Sequence, residues 1–355
     1  MTEPALEPWR LRALDAGANR AREAARVVED WVRFALDRAD LSDRFRRIRH
    51  RVSEILPAGL SLALARDSAG DVGIQALPPA SADRSSGQGI ARANLKRLEE
   101  ALRSIEEHAG ILPAARVAAA ALRTEAYEAE SAVERAMSPK GLLAGVRLYV
   151  LVTERLSRVP PEEAAEAAIR GGAGMIQMRE KELEDGEFLA RARRMRAQAS
   201  RLGALFIVND RVDACLLAGA DGVHLGLGDL PVREARRILG PEKIVGVSTR
   251  EPAQAMKAMD DGADYVGVGP VHPTPTKEHR ASVGLEVVRE ASAKIPIPWF
   301  AIGDVNETTL RAIRDAGARR VAACRAVIAA PDAEAAARTL LEILGPAAPP
   351  ERPTR

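Results

Sequence analysis

From Arg147 onward the chain repeats one pattern: a short run rich in Val, Ile and Leu, then an amphipathic stretch. The runs are RLYVLVT, GMIQMRE, ALFIVND, DGVHLG, KIVGVST, YVGVGPV, PWFAIGD and RVAACRAV. Segments such as Glu162–Arg170 and Asp332–Leu344 separate or follow them with helical periodicity. The runs are almost continuously apolar, as in strands covered on both faces. Eight strand–helix units within about 200 residues fit an α/β fold, a parallel (β/α)8 TIM barrel, with a doubly wound open sheet as the alternative.

The part before this differs in character. Residues 1–137 are rich in Ala, Arg, Glu and Leu and almost free of β-branched clusters, so a separate all-α domain is expected there. An interruption from about Ser68 to Gly89 contains PPASADRSSGQG and is expected to be a mobile loop. The helical blocks on either side resemble each other: Glu23-Ala-Ala-Arg26-Val-Val-Glu29-Asp30 matches Glu100-Ala-Leu-Arg103-Ser-Ile-Glu106-Glu107, as in an internal repeat. The phrase SPKGLLAG marks a linker at 138–146. The barrel then occupies 147–345, and the Pro-rich tail 346–355 is expected to be disordered.

Composition narrows the class of function. No apolar run is long enough to span a bilayer, and the start lacks a basic segment followed by an apolar one, so neither a membrane nor an exported protein is expected. The two cysteines, Cys215 and Cys324, sit apart in apolar segments and suggest neither a disulfide framework nor a zinc site. A net charge of +2 argues for no nucleic-acid partner. These features suit a cytoplasmic protein acting on small molecules, and homo-oligomer formation is compatible with them.

In a (β/α)8 barrel, chemistry gathers at the C-terminal ends of the strands. The second run ends in Gln177-Met178-Arg179-Glu180-Lys181, where alternation turns Gln177, Arg179 and Lys181 to one side. Two cations and an amide suit a polyanion, although R-x-K alone is better explained as a solvated loop. The third run ends in Asn209-Asp210, and the fourth leads through His224-Leu-Gly226 to Asp229. Two carboxylates at adjacent strand ends suit Mg2+, which takes one or two carboxylates plus phosphate oxygens; either Asp alone is explained as well by helix capping. The fifth run ends in Ser248-Thr249. The sixth ends in Gly269-Pro270 and continues to Thr274, Thr276 and Lys277, a set of hydroxyls and an ammonium able to hold phosphate. The seventh ends in Gly303, where backbone can approach a ligand closely.

Taken in order along the strands, QxREK, VND and GPxxPTxTK closely resemble thiamine-phosphate synthases over about Leu148 to Leu344. The resemblance implies a transferase that joins hydroxymethylpyrimidine diphosphate to hydroxyethylthiazole phosphate, giving thiamine phosphate and pyrophosphate. It implies dissociative loss of pyrophosphate assisted by Mg2+. It also implies that Arg179, Lys181, Asn209 and Lys277 hold the diphosphate with Gln177 beside them, and that Asp210 and Asp229 hold Mg2+. By the same resemblance Ser248 lies near the pyrimidine, and Thr274, Thr276 and the Gly303 loop receive the thiazole phosphate. Arg179, Lys181 and Lys277 are the expected catalytic cations.

Two positions depart from that pattern. Asp304 stands where the family has a second glycine, and Cys324-Arg325 where it has a serine at the end of strand eight. An anion beside a phosphate is unfavourable, so either Asp304 pairs with Arg325 or Arg325 contacts the thiazole phosphate. The N-terminal polar residues Asn19, Arg20, Arg22, Glu23, Arg26, Glu29 and Asp30 recur at helical spacing. Arg49-His50, Arg66-Asp67, Asp71, Gly73, Asn94, Glu99 and Arg103 follow. NRAREAARVVED and ARDxxxDVG resemble a helical domain fused to some of these synthases, for which hydroxymethylpyrimidine-phosphate kinase activity has been proposed; a docking module and plain surface ion pairs are the alternatives. For the barrel, the rival readings are a thiazole tautomerase-like isomerase and a non-catalytic phosphate-binding regulator.

Overall fold

The computed structural model describes residues 7–57, 62, 86–274 and 281–346. Thr276, Lys277, Arg66, Asp67, Asp71 and Gly73 lie outside these residues, as do most of the expected loop and residues 347–355 of the expected tail. The chain divides into two compact units, Met1–Met137 and Ser138–Arg355.

The described part of the first unit is helical: α1 (Pro8–Phe34), α2 (Ala39–Glu54), α3 (Gly87–His108) and α4 (Pro113–Met137). Pro8 starts α1 and the Ser86 hydroxyl caps α3 by accepting from Gly89 N, so residues 86–89, expected to end the loop, form a cap and first turn instead. α1 packs on α2 and α3, and α4 packs on the same two helices. The core is built from Val28, Phe45, Ile48, Leu98, Leu102 and Leu122 among others.

The repeated blocks occupy equivalent places. Glu29 of α1 accepts from Arg46, and Glu106 of α3 accepts from Arg123, both pairs at a separation of 17 positions. Arg26–Asp30 and Arg103–Glu107 form matching pairs one helical turn apart. The polar stripe is not wholly a surface feature, because Glu29, Asn94 and Glu99 are buried. Burial raises the Glu99 carboxyl, and the neighbouring Glu130 adds to this.

The second unit is a closed parallel barrel, β1 (Leu148–Val152), β2 (Met175–Met178), β3 (Leu205–Asn209), β4 (Gly222–Leu225), β5 (Ile244–Thr249), β6 (Tyr265–Val268), β7 (Trp299–Ile302) and β8 (Val321–Ala323), in which β8 returns to pair with β1. This is the barrel expected from the eight runs, not an open sheet. Residues of each strand alternate between two cores. Leu148, Val150 and Val152 face the helices, whereas Tyr149 and Leu151 face inward with Met175, Ile207, Ile244, Tyr265 and Phe300. Both faces are apolar, which is why the strands read as unbroken runs. Tyr149, Tyr265 and Phe300 pack edge to face with centroids 5.4–5.8 Å apart. Gly246 makes room for this cluster: a Cβ there would lie 2.0 Å from the Tyr265 ring.

Two segments differ from expectation. Within the expected linker 138–146, α5 (Pro139–Leu143) is capped by Ser138, and Leu143 is fully buried in the inner core. Arg320 ties this segment down through the carbonyls of Ala144 and Val146. The last run is a strand only as far as Ala323; Arg325–Ile328 is already a short helix. Among the described residues no helix is long and apolar enough to cross a membrane.

Candidate active site

A cavity of about 300 Å³ opens at the C-terminal ends of the strands. Its wall contains every described member of the predicted set: Gln177, Arg179 and Lys181 from β2, Asn209 and Asp210 from β3, Asp229 beyond β4, Ser248 from β5, Thr274 beyond β6 and Gly303 beyond β7. Thr276 and Lys277 are outside the described residues.

The pleat decides which β2 residues arrive. Arg179 N still donates to Val152 O at 2.8 Å, extending the ladder past the strand and holding the alternation that turns Gln177, Arg179 and Lys181 inward. Glu180 points the other way. Its carboxylate accepts from Glu154 N at 2.7 Å and lies 3.7 Å from Arg191, and burial raises its pKa above the usual carboxylate range. It braces the turn behind the cavity.

Asp210 sits in the left-handed backbone region at φ 61°, a conformation that Asp tolerates better than most residues. Its amide donates to His224 O at 2.9 Å, and Lys181 Nζ lies 3.4 Å from its carboxylate. Asp229 accepts from Gly226 N at 2.6 Å. The two carboxyls both line the cavity, and each acts on the other's proton affinity. Burial and the charge of Asp229 raise Asp210 above its ordinary value. Burial would raise Asp229 as well, but the hydrogen bond with Asp210, the Gly226 amide and Lys181 outweigh it and hold Asp229 low. Two hard oxygen donors that repel each other, with Lys181 the one ammonium paired to them among the described residues, fit a divalent cation of the Mg2+ type. Among the described residues no group of three or more metal-ligating side chains forms, so phosphate oxygens and water would complete such a shell.

Gly303, at φ 117°, lets the end of β7 lie against the chain after β6: a Cβ there would be 2.5 Å from Val271 N. Asp304 follows at φ 47°, and its carboxylate accepts from Arg325 at 3.1 Å. The first of the two expectations for these residues is thus the arrangement present. Asn306 also donates to the Asp304 carboxylate, at 3.2 Å.

Sequence reasoning missed Tyr149 and Tyr265. Tyr149 accepts from Gln177 Nε2 and is 3.0 Å from the Tyr265 hydroxyl. His224, seen only as part of a motif, bridges Tyr265 and Ser248 at 3.0 Å on each side. An inward tyrosine in an apolar strand reads by pattern as core, so no sequence signal set either residue apart.

Known proteins resemble this chain along nearly its whole length. A family model described as thiamine monophosphate synthase matches residues 148–327, and the ThiD2 family matches residues 12–132. A thiamine-phosphate synthase of Synechococcus sp. (strain WH7803) is 42% identical, covering 96% of this chain and 98% of that protein. One of Gloeobacter violaceus is also 42% identical, over 91% of this chain and 93% of that protein. Among solved structures, a thiamine phosphate pyrophosphorylase from Pyrococcus furiosus is 36% identical with a TM-score of 0.53, covering 57% of this chain and 97% of that one.

Proposed function

The chain belongs to the thiamine monophosphate synthase family, and from that premise we infer that it joins hydroxymethylpyrimidine diphosphate to hydroxyethylthiazole phosphate, releasing pyrophosphate. One observation carries the reading: Arg179, Lys181, Asp210 and Asp229 converge on a single cavity at the strand ends. In the reaction the C–O bond to the diphosphate breaks and a C–N bond to the thiazole forms, so no covalent nucleophile is required of the protein.

Arg179 and Lys181 bind the diphosphate and offset charge growing on it as it leaves. Asn209, buried at the end of β3, adds a neutral donor, and Lys277 belongs to the same set by its place in the motif. Asp210 and Asp229 would hold Mg2+, which when bound supplies further charge neutralisation on the diphosphate. Gln177 and Ser248 orient the pyrimidine. Thr274, Thr276 and Gly303 receive the thiazole phosphate, and Arg325 neutralises Asp304 beside it. The barrel mouth keeps the two substrates facing each other.

We assign residues 1–137 to a ThiD2-type unit that phosphorylates hydroxymethylpyrimidine phosphate and so supplies the barrel's diphosphate. Unpaired Cys215 and Cys324 accord with a cytoplasmic setting.

The test is direct. Full-length protein with both substrates and Mg2+ should form thiamine phosphate and pyrophosphate in equal amounts. Arg179→Ala should lower kcat/KM for the diphosphate by roughly 10²–10³. Absence of thiamine phosphate from the wild-type mixture would refute the synthase reading. Separately, ATP with pyrimidine monophosphate should yield the diphosphate; no turnover would leave the helical unit as a docking module.

A further inference from the structure

Five side chains form one hydrogen-bonded file through the inner core. Gln177 Nε2 donates to the Tyr149 hydroxyl, which is 3.0 Å from that of Tyr265. Tyr265 in turn is 3.0 Å from His224 Nδ1, and His224 Nε2 is 3.0 Å from Ser248 Oγ. The middle of the file is dry: Tyr149 is 2% exposed and Tyr265 0%. Burial drives both phenols well above their ordinary range, so each keeps its proton. Both ends, Gln177 and Ser248, stand in the cavity wall.

A file of this kind has a direction, because each hydroxyl has one proton to give and a neutral imidazole has one N–H and one bare nitrogen. Tyr149 accepts from Gln177, and the direction that uses every hydroxyl proton sends its own to Tyr265. Continued in that direction through a neutral imidazole, the Tyr265 proton goes to Nδ1 and the imidazole proton sits on Nε2. Ser248 accepts that proton and turns its own toward the cavity. At the other end, Gln177 Oε1 is buried without a hydrogen-bond partner and is left to accept. One end therefore accepts while the other donates. Inverting this needs the amide to rotate and every proton in the file to move together.

We propose that Tyr149, Tyr265 and His224 are positioning residues that hold Gln177 and Ser248 in opposite hydrogen-bonding polarity, so that the cavity selects a heterocycle offering a donor to one and an acceptor to the other. The proposal rests on the synthase reading. The pyrimidine of that reaction carries an amino donor and ring-nitrogen acceptors. Its 4-oxo analogue has an acceptor in place of the amino group and a protonated ring nitrogen beside it, which is the inverted pattern.

The experiment compares kcat/KM for the 4-amino and 4-oxo pyrimidine diphosphates in wild-type protein and in Tyr265→Phe and Tyr149→Phe, with thermal melts alongside. The wild type should favour the amino substrate strongly. Each Phe variant cuts the file, lets its ends reverse independently, and should shrink that preference by about tenfold or more while KM for the thiazole phosphate holds. Should the Phe variants fold poorly, His224→Gln keeps a donor and an acceptor and should preserve the preference, whereas His224→Leu should lose it. An unchanged preference in a folded Phe variant, or in His224→Leu, overturns the proposal. A wild type that makes no thiamine phosphate overturns the synthase reading beneath it instead.

Discussion

Asp210 is held in a charge state that the fold disfavours. Its folded pKa lies above the unfolded one, from burial and from Asp229. As pH rises through the interval between the two values, the unfolded chain releases its proton first, so stability falls with rising pH there. Asp210→Asn removes the repulsion and keeps a residue type at ease at φ 61°. It is expected to raise Tm at neutral pH without Mg2+, while abolishing Mg2+-dependent activity; added Mg2+ should close the Tm gap by stabilising only the wild type. Melting curves with and without Mg2+ check this, and a variant less stable than wild type in metal-free buffer would contradict it. The Asp304–Arg325 pair is of another kind. Its side chains are 30% and 50% exposed, so it is worth less than about 1 kcal/mol to the fold. Arg325→Ser should leave Tm nearly unchanged and raise KM for the thiazole phosphate several-fold; steady-state kinetics with an unchanged KM would remove Arg325 from the phosphate site. Residues at strand ends were legible because a polar group there has few structural uses. Tyr149 and Tyr265 were not, since an inward tyrosine in an apolar run is indistinguishable by pattern from core.

At the scale of elements, the strands were legible because barrel strands are apolar on both faces, and the helices between them because theirs are not. α5 was misread: Ser138, Pro139 and Gly141 resemble linker composition, yet Ser138 and Pro139 are also the residues that start a helix. Leu143 makes the distinction measurable. It is fully buried, so Leu143→Ala should cost about 2–4 kcal/mol in urea unfolding of the barrel, where a linker residue would cost less than about 0.5 kcal/mol. The end of the last run was also misread, because a helix of four residues is too short to show a period. Cys324, at φ −127° and ψ −95°, is where the backbone leaves the strand.

For the molecule as a whole, each unit encloses its own buried core. A chain of residues 138–355 should therefore fold and retain the kcat of the full protein, and calorimetry of the full chain should show two transitions. A single transition, or an inactive barrel fragment, would show that the units depend on each other. The matched ion pairs of the helical unit have a last implication. α1 buries Gly17, Ala21, Ala24 and Ala25 beside Leu14, Val28 and Val32, whereas α3 buries Leu95, Leu98, Leu102 and Ile105 beside Ala91 and Ala101; a methyl on Gly17 would come within 2.9 Å of Ile105. Two copies of the thin half would leave voids, and two of the thick half would collide. The halves share a blueprint but fit as tongue and groove, and neither can stand in for its twin.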